Sequence, residues 1–263
     1  MLIFYTTSIT PGQSQVPAPS QVIDTLFSRL VTATGDEDRL RINDSIIQFI
    51  GSYAVSDTIM DHTFEGLKYL GQISSRNSHL KILTWNLLLK ESASRYYCYF
   101  INRQEKKNVV FTLTGTYSEK SVRTDTVYSE KDWYGALYYD LRPFSKDSRD
   151  YWILLGIDYG NPSVTRKIID AVSFTDGGII FGKMIFESGN ETKYREVLEY
   201  SSGAVISLKF GSDKSIVFDH LVPVSPELID QKDYYGPDFS YDAYNLEKGI
   251  WKLERDVDVR NKK

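Results

Sequence analysis

The chain has 263 residues, of which 41% are hydrophobic and 25% charged, and this composition excludes disorder over most of its length. Its net charge of −4 and isoelectric point near 5.5 give no general attraction to a phosphate backbone, so we expect no nucleic-acid partner. No segment approaches the roughly 18 apolar residues of a membrane-spanning helix, which excludes a transmembrane span of that kind.

Residues 1–19 carry no pattern of regular structure. Residues 1–5 are apolar, and the polar run that follows them is rich in Pro, Gly, Gln and Ser. A secretory signal has a basic start and a longer apolar stretch, and both are missing here. Two interpretations stand: a disordered terminus, or the remaining end of a truncated signal segment.

Residues 20–75 predict a helical N-terminal part. Apolar residues recur at helical spacing over residues 22–31, behind a serine that serves as N-cap, and Gly35 ends this first helix. A second helix is predicted over residues 36–53, because three acidic residues open an apolar stripe. A third and weaker stripe over residues 63–73 contains two glycines, each unfavourable in a helix.

Residues 76–263 predict an antiparallel β domain. Short strands joined by short turns imply antiparallel neighbours, since parallel neighbours need long crossovers. The Asp176-Gly177 step predicts one hairpin turn, residues 201–203 predict another, and the proline-bearing stretch 223–236 predicts a loop laid over the sheet. The predicted strands are residues 80–89, 96–102, 108–114, 122–128, 134–140, 151–158 (an apolar run covered on both faces), 167–174, 179–186, 194–200, 204–210, 215–221, 241–246 and 250–259.

Together these patterns predict an α+β fold that is mainly β. Its β part is an antiparallel meander sheet or an open barrel, preceded by two to three N-terminal helices. No helical pattern interrupts the strands after residue 80, which excludes a doubly wound parallel sheet and a TIM barrel.

Known catalytic signatures are missing from the sequence. It contains no P-loop, no Gly-rich dinucleotide loop, no GxSxG elbow, no HExxH and no pair of cysteines. One cysteine and three histidines nearly exclude a structural zinc site, so we expect no cofactor and no bound metal. Cys98 alternates with Tyr96 and Phe100 on one strand face, which indicates a buried, inert thiol.

The most distinctive segment is an aromatic and acidic loop at residues 233–242. As a functional site, it would offer aromatic faces and carboxylates to a sugar, a peptide or a Ca²⁺ ion. As a structural element, its aromatics would pin the loop to the sheet while its Asp side chains cap turns, and we prefer this interpretation. The candidate ligand-binding residues in the loop are Tyr234, Tyr235, Asp238, Tyr241 and Asp242.

The remaining candidate residues are Asp219, His220 and Trp133. Neighbours on a strand point to opposite faces, so the Asp219-His220 dipeptide alone does not indicate a catalytic pair. The structural interpretation of His220 is a partly buried, hydrogen-bonded side chain at a strand end. Trp133 begins an aromatic run, 133–139, that lines a ligand groove or, more commonly, belongs to a core strand.

Five segments carry a resemblance to a known group of proteins. The chain resembles uncharacterised β-rich, exported proteins of Bacteroidota over roughly residues 75–260. This resemblance implies an envelope or periplasmic setting and favours the truncated-signal interpretation of residues 1–15, although a complete signal is missing. It implies no catalytic residue. The segments are residues 81–86 (KILTWN), 133–139 (WYGALYY), 151–156 (YWILLG), 216–221 (IVFDHL) and 235–242 (YGPDFSYD).

The sequence therefore predicts a binding or interaction protein of the bacterial envelope, periplasmic or otherwise exported, with a cytoplasmic location as the alternative. Its partner would be a glycan, a peptide or another protein. Two further functions stay open: a hydrolase acting on glycans or peptides through Asp219, His220 and loop carboxylates, and a purely structural module. Convergence of His220, Asp238 and Asp242 in an open cleft would favour the hydrolase, whereas side chains that cap turns or lie buried against the sheet would contradict it.

Overall fold

A computed structural model of the protein describes residues 18–105, 107–146, 149–160, 162–176 and 178–258. It has 48% strand and 17% helix, which confirms the α+β, mainly β fold class. The predictions made on residues 1–17 lie outside the described residues.

Two helices open the fold, α1 (Pro19–Thr32) and α2 (Asp36–Ala54). Their apolar faces bury Phe27 and Ile46 completely, as the helical spacing predicts. The third predicted helix is wrong, because residues 63–70 form turns. There the Gln72 side chain accepts a hydrogen bond from the Phe64 backbone N–H (3.0 Å) and donates one to the Phe64 carbonyl (2.8 Å), which closes a loop.

Sixteen strands follow in the described residues. In chain order they are β1 (Gly71–Ser74), β2 (Leu80–Leu87), β3 (Arg95–Gln104), β4 (Lys107–Thr116), β5 (Tyr128–Ser129), β6 (Leu137–Lys146), β7 (Arg149–Asp158), β8 (Val164–Thr175), β9 (Gly178–Phe181), β10 (Phe186–Ser188), β11 (Glu191–Lys193), β12 (Arg195–Ser201), β13 (Leu208–Ser212), β14 (Ser215–Pro223), β15 (Tyr235–Glu247) and β16 (Ile250–Glu254). Two 3-10 turns, Pro226–Leu228 and Lys232–Tyr234, lie in the predicted loop between β14 and β15.

The strands form three sheets, none of which closes into a barrel within the described residues. Sheet A is the meander β1-β2-β3-β4, and sheet B has the order β5-β9-β8-β7-β6, with β12 paired to a further part of β8. Sheet C has the order β11-β10-β16-β15-β14-β13. All pairs are antiparallel except β10 and β16, which run parallel.

The molecule is built in four layers, in the order helices, sheet A, sheet B, sheet C. Leu83 and Trp85 of β2 face the helices, whereas Ile82 of the same strand faces sheet B. In β7, Leu154 packs toward sheet A and Ile153 toward sheet C, so this apolar run is covered on both faces, as predicted. Sheets A and B are thus each buried on both faces and contribute side chains to two cores.

Cys98 lies in the core between sheets A and B, together with Tyr96 and Phe100. Its side chain is fully buried, and burial raises the pKa of the thiol well above its usual value. The structure therefore confirms the buried thiol that alternation along β3 predicts.

The predicted strand at residues 122–128 is wrong, because only Tyr128 belongs to a strand. Two buried arginines bind carbonyls of the loop between β4 and β5, which contains this segment. Arg166 donates hydrogen bonds to the carbonyls of Ser118 (2.9 Å) and Glu119 (2.9 Å). Arg195 donates to the carbonyls of Arg123 and Thr126, so a side chain and not a β ladder binds these two carbonyls.

The predicted hairpin at residues 201–203 is also wrong. β12 pairs with β8 in sheet B, whereas β13 pairs with β14 in sheet C. Leu198 of β12 and Leu208 of β13 belong to the same core between these two sheets. The two segments therefore pack face to face and not edge to edge, and the turn carries the chain from one layer to the next.

A further difference concerns the segment 179–186, predicted as one strand. It is divided between β9 in sheet B and β10 in sheet C. Gly182, with φ of 99°, lies at the break and adopts a backbone conformation that favours glycine.

Asp36 links the start of α2 to the loop that follows β2. Its carboxylate accepts the backbone N–H groups of Lys90 (2.9 Å) and Glu91 (2.9 Å), and these hydrogen bonds lower the pKa of Asp36. A carboxyl whose pKa is lower in the folded state stabilises the fold above its unfolded pKa, about 3.9, and loses that contribution as the pH falls through the folded value.

An Asp36→Asn variant is therefore expected to melt at a lower temperature than the wild-type chain at pH 7. The difference should shrink as the pH falls from about 4 through the lowered pKa of Asp36, because protonation of the folded carboxylate makes both side chains neutral. Thermal unfolding followed by circular dichroism at several pH values measures it. Asp24→Asn, which removes an exposed charge in α1, is the control, and an equal effect of the two substitutions at pH 7 would contradict the assignment to Asp36.

Candidate functional site

A cleft of about 290 Å³ opens between β12 of sheet B and the strands β14, β15 and β16 of sheet C. Residues 196–199 of β12 and residues 218–221 of β14 line it as two consecutive runs. Consecutive residues of a strand point to opposite faces, so a run of four along β12 means that the strand borders the cleft along one edge. Within the described residues, β12 has a strand partner only on the β8 side.

His220 and Asp242 form the central pair of the cleft. The imidazole Nδ1 lies 2.8 Å from Asp242 Oδ2, and the Asp242 side chain is only 5% exposed. Asp242 Oδ1 also accepts the backbone N–H of Asp256 (3.3 Å). A buried carboxylate held in this way orients the ring, because it accepts the Nδ1 proton and leaves Nε2 for a ligand.

A three-residue bulge in β15 lies opposite His220. Asp219 pairs with Tyr241 and Leu221 with Pro237, so residues 238–240 oppose His220 alone. At its tip Phe239 has φ of 71° and is 90% exposed. The bulge thus displaces the backbone of β15 beside the imidazole.

Asp238 caps this bulge. Its Oδ1 accepts the backbone N–H (3.0 Å) and the hydroxyl (2.8 Å) of Ser240. These hydrogen bonds lower the pKa of Asp238, and His220 adds to the effect. Asp238 therefore holds a turn at the rim of the cleft and lies close enough to interact electrostatically with His220.

Glu196 lies in the wall formed by β12, where it is 9% exposed. It accepts hydrogen bonds from Lys193 Nζ (3.1 Å), from the Tyr244 hydroxyl and from the Val197 backbone N–H (3.3 Å). Burial raises the pKa of Tyr244, and the adjacent Glu196 carboxylate raises it further. The carboxylate is thus fully bonded and holds Tyr244 protonated.

Both signs of charge remain at the cleft surface. Lys232 Nζ lies 4.0 Å from the centre of the Tyr235 ring, and Arg255, with 62% of its side chain exposed, lies 3.8 Å from Asp242. Asp219 accepts the Ser207 backbone N–H (2.7 Å) through one oxygen. The cleft therefore offers cationic and anionic groups to a ligand that carries both charges.

The structure brings together four of the predicted site residues, Asp219, His220, Tyr235 and Asp242. Asp238 lies at the rim. Tyr234, in the 3-10 turn next to the cleft, is 44% exposed. Residues 235–242, predicted as part of a loop, belong to strand β15. The segment combines both interpretations, since the Tyr235 hydroxyl donates to the Ile229 carbonyl and Asp238 caps a turn while Asp242 contacts His220.

Two predicted residues lie elsewhere. Tyr241 precedes Asp242 in β15 and lies in a separate depression with Val217 and Glu254, because successive side chains alternate between the faces of a sheet. Trp133 is 3% exposed in the core between sheets A and B, where its indole N–H donates to the Tyr138 hydroxyl (2.9 Å). Trp133 is therefore a core residue and does not line the cleft.

Sequence reasoning missed Glu196, Lys193, Lys232 and Arg255, all of which line the cleft. Their positions along the chain give no signal of convergence, because the cleft joins two sheets. Among the described residues, no group of three or more His, Cys, Asp or Glu side chains is arranged to hold a metal ion. No helix in the described ranges is long and apolar enough to cross a membrane.

Comparisons with known proteins leave the chain without an assigned relative. No family model matches it, and neither a curated protein nor a solved structure matches it. The resemblance to exported proteins of Bacteroidota therefore stays a prediction.

Proposed function

We propose that the protein is a peptide-binding protein, and not an enzyme, whose site is the cleft between β12 and sheet C. The observation that carries the proposal is the edge of β12, which has no strand partner among the described residues and borders a cleft that bears both signs of charge. Each of these two features fits a different part of a short peptide.

The edge of β12 fits the backbone of an extended peptide. An exposed strand edge presents backbone N–H and C=O groups, and an added strand pairs with them. In β12 the Val197 N–H donates to the Glu196 carboxylate at 3.3 Å, and the carbonyl of an added strand would replace that contact. Main-chain pairing would supply affinity without strict dependence on peptide sequence.

The charged groups fit the ends of a peptide. Lys232 and Arg255 would bind the terminal carboxylate, since hydrogen bonds between ionised groups are the stronger ones. Asp219 keeps one carboxylate oxygen for a terminal ammonium group. His220 is fixed by Asp242 and offers its Nε2 to the backbone of the ligand.

Tetrapeptides with free termini are therefore expected to bind more tightly than the same peptides with acetylated and amidated ends. Lys232→Ala/Arg255→Ala should weaken binding by at least about tenfold, because hydrogen bonds between charged groups are lost. N-methylation of alternate peptide bonds in the ligand should also weaken binding, since it removes the donors that pair with β12. Isothermal titration calorimetry with a panel of tetrapeptides measures these effects.

The control is Lys209→Ala/Lys214→Ala, which removes two positive charges from sheet C outside the cleft and should leave the affinity unchanged. Equal affinity for free and capped peptides, or no binding by any tetrapeptide, would contradict the proposal. The second result would favour a purely structural module.

The His220–Asp242 pair favours a hydrolase as the second candidate function, because the same arrangement orients a general base in hydrolytic enzymes. Among the described residues, no serine, threonine or cysteine side chain is hydrogen-bonded to His220. Incubation with the same tetrapeptides followed by mass spectrometry separates the two functions. The binding proposal expects intact peptides, and cleavage that disappears in a His220→Ala variant would support the hydrolase instead.

We further propose that the protein acts in the bacterial envelope, as a periplasmic or otherwise exported protein. The resemblance to exported β-rich proteins supports this location. A peptide-binding cleft is compatible with it, since peptides also occur in the envelope. Cell fractionation of a bacterial host that carries the gene tests it, and recovery of the chain in the cytoplasm alone would contradict it.

A further inference from the structure

We infer that a second groove, at the open rim between sheets A and B, binds an uncharged oligosaccharide. The groove has a volume of about 690 Å³ and is formed by the end of β3, the start of β7 and the end of β8. This volume lies within the range of roughly 300–1,000 Å³ that small-molecule sites have. The groove shares no lining residue with the cleft at His220.

Aromatic side chains form the apolar part of the groove. Trp152 is partly exposed, and it packs at the margin of the core between sheets A and B. Phe174 is also partly exposed and stacks on Phe111, with ring centres 5.4 Å apart. The face of a sugar ring carries C–H groups that pack on aromatic rings, and tryptophan joins a large apolar surface to one polar N–H.

Polar side chains without internal partners surround these aromatics. In the part of the chain that the structure describes, the side chains of Asn102, Gln104 and Ser173 have no hydrogen-bond partner, nor has the Trp152 indole N–H. Amide and hydroxyl groups both donate and accept hydrogen bonds, as sugar hydroxyls do. The groove therefore offers unoccupied neutral donors and acceptors beside an aromatic surface.

The charged side chains of the groove, Arg103 and Asp150, have opposite signs, and each is hydrogen-bonded to another residue of the protein. Arg103 donates to the Asp57 carbonyl (3.0 Å), and Asp150 accepts the Ser145 hydroxyl (2.7 Å). His79 Nδ1 lies 3.3 Å from the Asn77 side-chain amide. Because one arginine and one aspartate line the groove among the described residues and each has a protein partner, the groove favours a neutral ligand over a phosphorylated or acidic one.

Tryptophan fluorescence provides a readout specific to this groove. Of the four tryptophans, Trp85, Trp133 and Trp251 are 0%, 3% and 1% exposed, whereas Trp152 is partly exposed. Quenching by acrylamide therefore reports chiefly on Trp152. The probes are maltotriose, cellotriose, xylotriose and the trimer of N-acetylglucosamine. At least one is expected to protect the fluorescence from quenching, and a Trp152→Phe variant should abolish the protected signal.

Calorimetry with the same trisaccharide tests the polar groups. Asn102→Ala/Gln104→Ala is expected to weaken binding by about tenfold or more, because two side-chain amides are lost. Gln48→Ala/Asn190→Ala removes two exposed amides elsewhere and should have no effect. The inference is overturned if no probe binds with a Kd below about 1 mM. Binding that Trp152→Phe and Asn102→Ala/Gln104→Ala leave unchanged would also overturn it.

Discussion

Replacing Arg195 with methionine is expected to lower the free energy of unfolding by about 3–5 kcal/mol, as is usual when one partner of a buried ion pair is removed. Arg195 and Asp170 both have 0% exposed side chains, and Arg195 Nε lies 2.9 Å from Asp170 Oδ2. The same guanidinium donates to the carbonyls of Thr126 (2.8 Å) and Phe181 (3.2 Å). Methionine would leave a buried carboxylate without its cationic partner and several carbonyls without their donor.

The decrease in the free energy of unfolding caused by Arg195→Met should depend on pH. Burial raises the pKa of Asp170, and the Arg195 guanidinium opposes that rise. Without the guanidinium the pKa rises further. When the pKa of a carboxyl is higher in the folded chain than in the unfolded chain, where it is about 3.9, the carboxyl stabilises the fold fully only below about pH 3.9. This stabilisation is lost as the pH rises through the folded pKa. The deficit of the variant is therefore expected to widen as the pH increases, in urea unfolding measured at several pH values.

Arg123→Met is the matched control, because Arg123 pairs with Asp125 at the surface, with side chains 66% and 69% exposed. Exposed pairs contribute about 0–1 kcal/mol, so this variant should differ little from the wild-type chain. Arg195→Met/Asp170→Leu removes both buried charges and should recover part of the stability. Similar losses in Arg195→Met and Arg123→Met would contradict the importance assigned to the buried pair.

Trp85→Ala is expected to lower the free energy of unfolding by about 3–5 kcal/mol, the usual range for a large aromatic residue in a core. Trp85 is 0% exposed between sheet A and the helices. Its ring stacks on Tyr97 with centres 5.2 Å apart and meets Phe27 of α1 edge-on. Its indole N–H donates to Asn43 Oδ1 of α2 (2.8 Å). The substitution leaves a cavity where both helices contact the sheet.

Chemical denaturation measures the global loss in Trp85→Ala, and amide hydrogen exchange shows where protection is lost. Faster exchange should be greatest in α1 and α2, since Trp85 contacts both. Leu88→Ala is the control, because Leu88 lies just after the same strand with 57% exposure, and surface substitutions usually change stability by about 0.5 kcal/mol or less. Uniform exchange changes across all three sheets would contradict a local role in holding the helices.

Local patterns in the sequence predict the first two helices and several inner strands of this fold. The stripe that buries Ile46 and the alternation that buries Cys98 depend on residues a few positions apart, so the sequence displays them directly. The Asp176-Gly177 step likewise predicts the turn between β8 and β9, where Thr175 pairs with Gly178. The arrangement of strands in three sheets is not displayed, because alternation records which face is buried and not which strand lies beside it.

The same distinction applies to the cleft. His220 and Asp242 are 22 positions apart and meet because β14 and β15 pair with a bulge between them. The sequence identified both residues by their chemical type, but it predicted neither this contact nor the position of Glu196 on a strand of another sheet. Trp133 shows the converse difficulty, since an aromatic residue in the core has the same sequence pattern as one in a ligand groove.

The order of strands in sheet C has a consequence for synthesis on the ribosome. β16 is the last strand in the described residues, yet it lies inside the sheet, between β10 and β15. Phe186 of β10 pairs with Trp251, so the hairpin of β10 and β11 joins the sheet only through β16. Sheet A, in contrast, is built from consecutive strands. A nascent chain can thus complete the pairing of sheet A early, whereas sheet C stays divided until residues 250–254 have left the exit tunnel.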